Sequence, residues 1–300
     1  MSSRFLIIYC FFAANTMHAQ STFFDTPDSI LKKRIIPVSI GIGAVWTGSM
    51  IGLHQVWYKN YETTKFHTFD DGSNWLQMDK AGHVYTNYQI SQLAGNLYKW
   101  SGLKSKNAAL IGTGIGLGFQ TTLEIFDGFS SGWGFSWYDI GSNALGAGIY
   151  LGQELVWGEQ RFLLKFSYHP TEFAALRPEV LGSNFQEQLL KDYNGQTYWL
   201  SFNPFIFAKN SSFPKWICMS FGYSVNNKIN GDKETYIDPS NFKNYSSQRE
   251  FICSLDIDFS RIQVQKKWLK TVLKQLNYLK IPFPALIIRD GKLIGSPLYF

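Results

Sequence analysis

The 300-residue chain carries 28 Lys and Arg against 22 Asp and Glu, a net charge of +6, with 17% aromatic residues and three cysteines. The positive excess is small and scattered, and no basic stripe alternates with aromatics, so nothing points to nucleic acid; the same excess suits an anionic membrane surface. No CxxC or Cys/His spacing marks a zinc site.

Residues 1–19 read as an export signal. Arg4 supplies the positive start, Phe5 to Ala14 the apolar run, and Met17-His18-Ala19 a small-residue cleavage site before Gln20. Cys10 lies within the run without the small residues that lipoprotein processing needs, so no lipid attachment is expected there. Cys218 and Cys253 remain, either as one disulfide or, the favoured reading, as buried small hydrophobes. From Ile35 to Trp57 the only protonatable side chain is His54, and the stretch is long enough to span a bilayer. Lys32, Lys33 and Arg34 stand directly before it, which opposes the positive-inside tendency if the chain is exported.

Helical spacing then predicts three further helices, over Asp79 to Trp100, Asn107 to Phe126 and Trp137 to Trp157. The last two are rich in glycine, each costing about 1 kcal/mol in an isolated helix, so close helix contact is the expected compensation. Gly112-x-x-x-Gly116, Gly114-x-x-x-Gly118 and Gly148-x-x-x-Gly152 are the spacings that permit it. They carry no phosphate-binding pattern. Trp57, Trp75, Trp100, Trp133, Trp137 and Trp157 lie near the ends of apolar segments, a placement that favours a membrane interface.

After about Arg161 the period changes to strict alternation. Tyr198 to Phe207 predicts a strand that Pro204 places at an edge or ends early. In WICMSFGYSV and FICSLDIDF, an apolar face that includes Phe221 and Leu255 opposes a polar one with Ser220, Gly222, Ser254 and Asp256. The apolar face is expected against lipid or the helices, and the polar face, Asp256 included, toward water. Asn226 to Gln248 reads as a long hairpin loop, Lys266 to Lys280 as a late helix, and PLYF as a terminal strand ending at Phe300. Five or six strands suit a small antiparallel sheet packed on the helices better than a closed barrel of eight or more. The fold class expected is therefore α+β: a glycine-rich bundle of about four helices over residues 20–160, then an antiparallel region with one late helix over 161–300.

The ionisable groups of the helical half fall in pairs one turn apart: Asp79 with His83, Glu124 with Asp127, and Asp139 with Asn143. Carboxylates in an apolar interior need partners, solvent or a bound ion, so three such faces are expected to meet. His83, Glu124 and Asp139 are the candidates for acid or base roles, and Asp79, His83, Glu124 and Asp139 for a divalent metal ion. The competing, favoured reading is a buried network fixing helix register, completed by Lys80, Asn87, Gln120 and Asn143. No nucleophile with an attendant base is visible.

The segments MDKAGHVYTNYQISQLAG, FQTTLEIFDGFSSGWGFSWYDIGSNALGAG and RPEVLGSNFQEQLLKDYNGQTYWLSFN together resemble the YfiM-like family of predicted periplasmic lipoproteins, a domain of unknown function. The likeness covers roughly residues 59–203 and implies an envelope location without an activity. The order Asp79, Lys80, His83, Glu124, Asp139, Asn143, Gly146 is more loosely similar to the VanZ-like membrane family. The expectation is an exported protein of the periplasm or outer membrane, associated with membrane or envelope components in a structural or binding role. The alternative is an envelope hydrolase or transferase acting on a lipid or cell-wall precursor through the acidic site.

Overall fold

The computed structural model describes residues 23–59, 61–208 and 212–300; the export-signal reading, Cys10 included, lies outside them. Helix α1 (Lys32–Leu53) continues into a π turn at His54–Tyr58. Its start is tied to the far end of the next helix. Leu31 N donates to Ser101 O, while the Arg34 guanidinium donates to Trp100 O at 2.9 Å and lies 4.5 Å from that residue's ring centre. Further along, Trp46 meets Phe119 edge-on, and Ile36, Ile40, Val45 and Ile51 remain exposed.

Helices α2 (Met78–Trp100), α3 (Ser105–Gly128) and α4 (Trp137–Val156) form a bundle, so the expected four helices are present. Glycine sets how closely they approach. A Cβ added at Gly112 would collide with Ser91 O and sit 2.6 Å from Gly95 N, and one at Gly146 would collide with Val84 O. The backbone of α2 thus touches both neighbours directly, as small-residue packing allows. Of the three glycine spacings, only Gly112–Gly116 does this between bundle helices. Gly118 meets the Trp46 ring of α1, whereas Gly114, Gly148 and Gly152 have open space around them, contrary to the spacing-based expectation.

Strand β1 (Phe162–Tyr168) leads through two short helices, α5 (Pro178–Leu181) and α6 (Phe185–Lys191), to β2 (Gln196–Phe202) and β3 (Ile217–Asn226). β2 ends two residues before Pro204, as its missing N–H requires. The polar loop after β3 folds its own ribbon from β4 (Thr235–Ile237) and β5 (Asn244–Ser246). β6 (Gln248–Ile257), helix α7 (Lys267–Leu276), β7 (Phe283–Arg289) and β8 (Lys292–Tyr299) complete the chain. Six strands make one antiparallel sheet in the order β1-β2-β3-β6-β7-β8.

The sheet curls strongly. Tyr299 on β8 brings its hydroxyl within 3.1 Å of Thr197 Oγ1 on β2, and its ring within 5.7 Å of Trp199, although three strands separate them in the ladder. Among the described residues the edges β1 and β8 do not pair. Phe166 N on β1 instead donates to Tyr278 O, and Lys280 N to Phe166 O. The helices cover one side of β1 and β2, where Tyr85 of α2 packs against Phe166 and Tyr198.

Curling decides which strand face is inside, and it is the polar one. Asp256 is 1% exposed and Ser220 wholly buried, whereas Phe221 and Leu255 are 45% and 53% exposed. The expectation that Asp256 and its neighbours face water is overturned. Lys165 supplies the reason: its Nζ lies 2.9 Å from Asp256 Oδ2, so the concave face carries its own counter-charge, with Ser201 and Ser220 hydrogen-bonded across it at 2.7 Å. Met219, Phe251, Leu286, Ile288 and Leu293 extend the apolar exterior. Cys218 is buried on the inner face and Cys253 half-buried on the outer one, and both are free thiols.

The glycine contacts separate two outcomes. Gly116→Val pushes against Ser91 Oγ and the Asn87 carbonyl and is expected to destabilise by about 1–3 kcal/mol. Gly148→Ala, with nothing within 4 Å, is expected to gain up to about 1 kcal/mol. Denaturant titration of both variants in detergent checks the contrast.

Candidate functional site

The polar pairs converge at one end of the bundle, where α2 and α4 begin and α3 nears its close. Asp79 and His83 lie in the first two turns of α2, and Asp139 and Asn143 in the first two of α4. Carboxylates are favoured there by the positive end of the helix dipole. Ser136 caps α4, accepting from Asp139 N at 3.1 Å, while its own hydroxyl donates to Asp71 Oδ1 at 2.5 Å and its N–H to Glu124 Oε2 at 3.3 Å. Asp71 is brought in by a turn in which Trp75, Leu76 and Gln77 all have positive φ, near 51°, 51° and 66°. Such residues each cost about 1–2 kcal/mol, and outside bonds hold them: Trp75 N to Gly231 O, Tyr223 hydroxyl to Leu76 O and Arg249 to Gln77 Oε1.

Two basic side chains divide the acids between them. Lys80 Nζ lies 2.6 Å from Asp71 Oδ2, 2.7 Å from Asp139 Oδ1 and 3.0 Å from Asp79 Oδ2, a full complement for an ammonium with three protons. His83 Nε2 faces Asp79 Oδ1 at 3.8 Å, Asp139 Oδ1 at 3.7 Å and Glu124 Oε1 at 3.7 Å. These are Coulombic separations, too long for hydrogen bonds. The other ring nitrogen is held: Asn143 Oδ1 is 3.1 Å from His83 Nδ1 and accepts from Gln120 Nε2 at 3.2 Å. Tyr193, between α6 and β2, donates to Asp79 Oδ1 at 2.9 Å. Glu124 is 1% exposed, and its Oε1 has no hydrogen-bond donor.

Asp79, Lys80, His83, Glu124, Asp139 and Asn143 are therefore brought together. Asp127 accepts instead from Tyr58 at 2.7 Å, tying the end of α3 to the turn after α1. Asp71, Ser136 and Tyr193 are not singled out by spacing, since they come from loops; a serine three residues before Asp139 is the one available signal, as a helix cap. Asn87 bonds Ser91 within α2 rather than the cluster. Asp192 and Asn194 in KDYNGQ form a turn, Asn194 N donating to Asp192 Oδ1 at 3.1 Å.

Comparison with known proteins bears on this region. Residues 67–152 match the family described as "Predicted periplasmic lipoprotein (DUF2279)". That stretch, from the loop before α2 to near the end of α4, contains Asp71 and all the helical cluster residues, and it stops before the third of the resembling segments. No curated protein and no solved structure matches the chain.

Replacing the shared cation isolates its contribution. Lys80→Met leaves Asp71, Asp79 and Asp139 crowded without their ammonium and is expected to lower unfolding free energy by about 3–5 kcal/mol. Equilibrium denaturation against the unmodified protein measures it.

Proposed function

We propose that this is an exported cell-envelope protein embedded in a membrane, with a structural or binding role centred on the polar cluster. One observation carries the reading: the sheet hides its charged and hydroxyl side chains and presents Phe221, Leu255, Leu286 and Ile288 outward. In water that arrangement costs about 25 cal/mol for each Å² of apolar surface left exposed, whereas in a bilayer it is the stable one. The helices agree with it. Apolar side chains point outward along α1, along α3 at Leu110, Ile111 and Ile125, and along α4 at Leu145, Leu155 and Val156. α1 and α3, at 22 and 24 residues, are long enough to cross a bilayer, and α1 is almost wholly unburied within the protein.

The matching family's description supports a periplasmic setting, and the basic, apolar and small-residue blocks of residues 1–19 support export. Division near residue 160 into a helical unit and a β unit belongs to the same reading, as do membrane-associated envelope partners. The narrower YfiM-like likeness rests on the three resembling segments, and the VanZ-like one on the order of polar groups alone.

Two measurements test the proposal. Single cysteines at Phe221→Cys, Leu255→Cys and Ser220→Cys, introduced after replacing Cys218 and Cys253 by alanine, are labelled with an environment-sensitive fluorophore in vesicles of brominated lipid. Strong quenching is expected at positions 221 and 255 and little at 220; no quenching at the first two defeats the membrane placement. Separately, N-terminal sequencing of chain recovered from the envelope is expected to begin at Gln20, and retention of Met1 contradicts export by this signal.

A further inference from the structure

We infer that His83, Asp79 and Asp139, with Glu124 as a fourth donor, form a binding site for a divalent transition-metal ion such as Zn²⁺ or Mn²⁺. The inference gives chemical content to the binding role proposed above, and it stands independently of where the membrane lies. The facing atoms are His83 Nε2, Asp79 Oδ1 and Asp139 Oδ1, with Nε2 at 3.8 and 3.7 Å from the two oxygens and all three ligand atoms within 4.8 Å of one another. A point equidistant from three such atoms lies about 2.1–2.4 Å from each, the range of metal–nitrogen and metal–oxygen bonds. Glu124 Oε1 stands 3.7 Å from the same Nε2.

Two further observations point to a ligand rather than to acids meeting by chance. Glu124 is 1% exposed, and its Oε1, aimed at the imidazole, has no donor, although an unpaired buried carboxylate oxygen is among the most costly polar groups to leave unsatisfied. Asn143 Oδ1, an acceptor, lies 3.1 Å from Nδ1, so a neutral ring that donates to it turns the Nε2 lone pair toward the carboxylates. Metal-ligating histidines are held in this way from behind. Lys80 and Tyr193 orient the acids: Lys80 binds Asp79 Oδ2 and lies 2.7 Å from Asp139 Oδ1, and Tyr193 donates to Asp79 Oδ1, the oxygen that faces His83. One imidazole among carboxylates selects Zn²⁺, Mn²⁺ or their neighbours over Mg²⁺ and Ca²⁺, which take oxygen donors.

The test uses the untagged, full exported chain in detergent, stripped with chelator, desalted and titrated with ZnCl₂ or MnCl₂. Elemental analysis is expected to find about one ion per chain, with a raised unfolding midpoint that chelator reverses. His83→Ala is expected to lose the ion, Asn143→Ala to bind about 10–100-fold more weakly, and Asp127→Asn to bind as the unmodified chain does. Should His83→Ala fail to fold, Cu²⁺ electron paramagnetic resonance on the unmodified protein is expected to show coupling to one nitrogen. Absence of stoichiometric ion, absence of nitrogen coupling, or unchanged affinity in folded His83→Ala overturns the inference and leaves an imidazolium in a register-fixing network. Lipid quenching at positions 221 and 255 reads the membrane placement separately, so either can fail alone.

Discussion

Four carboxylates lie where three helices meet, and Lys80 and His83 stand among them as their counter-charges. Lys80 reaches acids contributed by a loop, by its own helix and by α4, while His83 faces acids from α2, α3 and α4. No pair of these helices can separate without leaving a buried charge exposed to an apolar environment, which costs far more than a surface ion pair returns. The glycines make this possible. A side chain at Gly112 or Gly146 would press on the α2 backbone at Ser91 and Val84, so their absence lets α2 lie directly against both neighbours.

The sheet solves the same problem by a second route. Its concave face buries Lys165 and Asp256 together, with Lys280 directed at Ser254 Oγ and packed over the Trp199 ring. Hydroxyl groups of Thr197, Ser201, Ser220, Ser224 and Ser254 share the inner face with a buried apolar cluster of Trp199, Ile252, Ala285 and Ile287. Both halves therefore bury an ion pair and leave large apolar side chains on the outside. Tyr85, Tyr88 and Gln89 of α2 join the halves, donating to Tyr278 O, Phe162 O and Leu164 O. The site end of the bundle is closed by Tyr193, so the β half also contributes to the cluster.

Much of this architecture is legible in the order of residues along the chain. A period of 3.6 marks the helices, a period of 2 marks β2, β3 and β6, and Pro204 places the end of β2. The i, i+4 pairs Asp79–His83 and Asp139–Asn143 identify one face of each helix, because spacing along a helix fixes direction around its axis. Glu124 follows as the acid of the remaining helix, but Asp127, three residues on, turns instead to Tyr58. Asp71 and Tyr193 carry no periodic signal, for they reach the site from irregular segments whose course depends on distant contacts such as Trp75 with Gly231.

Sequence alone determined which residues share a face, since local backbone geometry sets the period. It determined the long helices, the strands β3 and β6, and the acids at helical spacing that needed partners. Tertiary structure decided which way each face turned. Alternation in β3 and β6 is the same whether Phe221 or Ser220 points inward, and only the curl of six strands, with Lys165 placed opposite Asp256, put the polar side within. Glycine spacing was equally ambiguous: Gly112–Gly116 and Gly148–Gly152 read alike, but only the first has a helix beside it, because side-by-side packing is a property of two elements and not of either one.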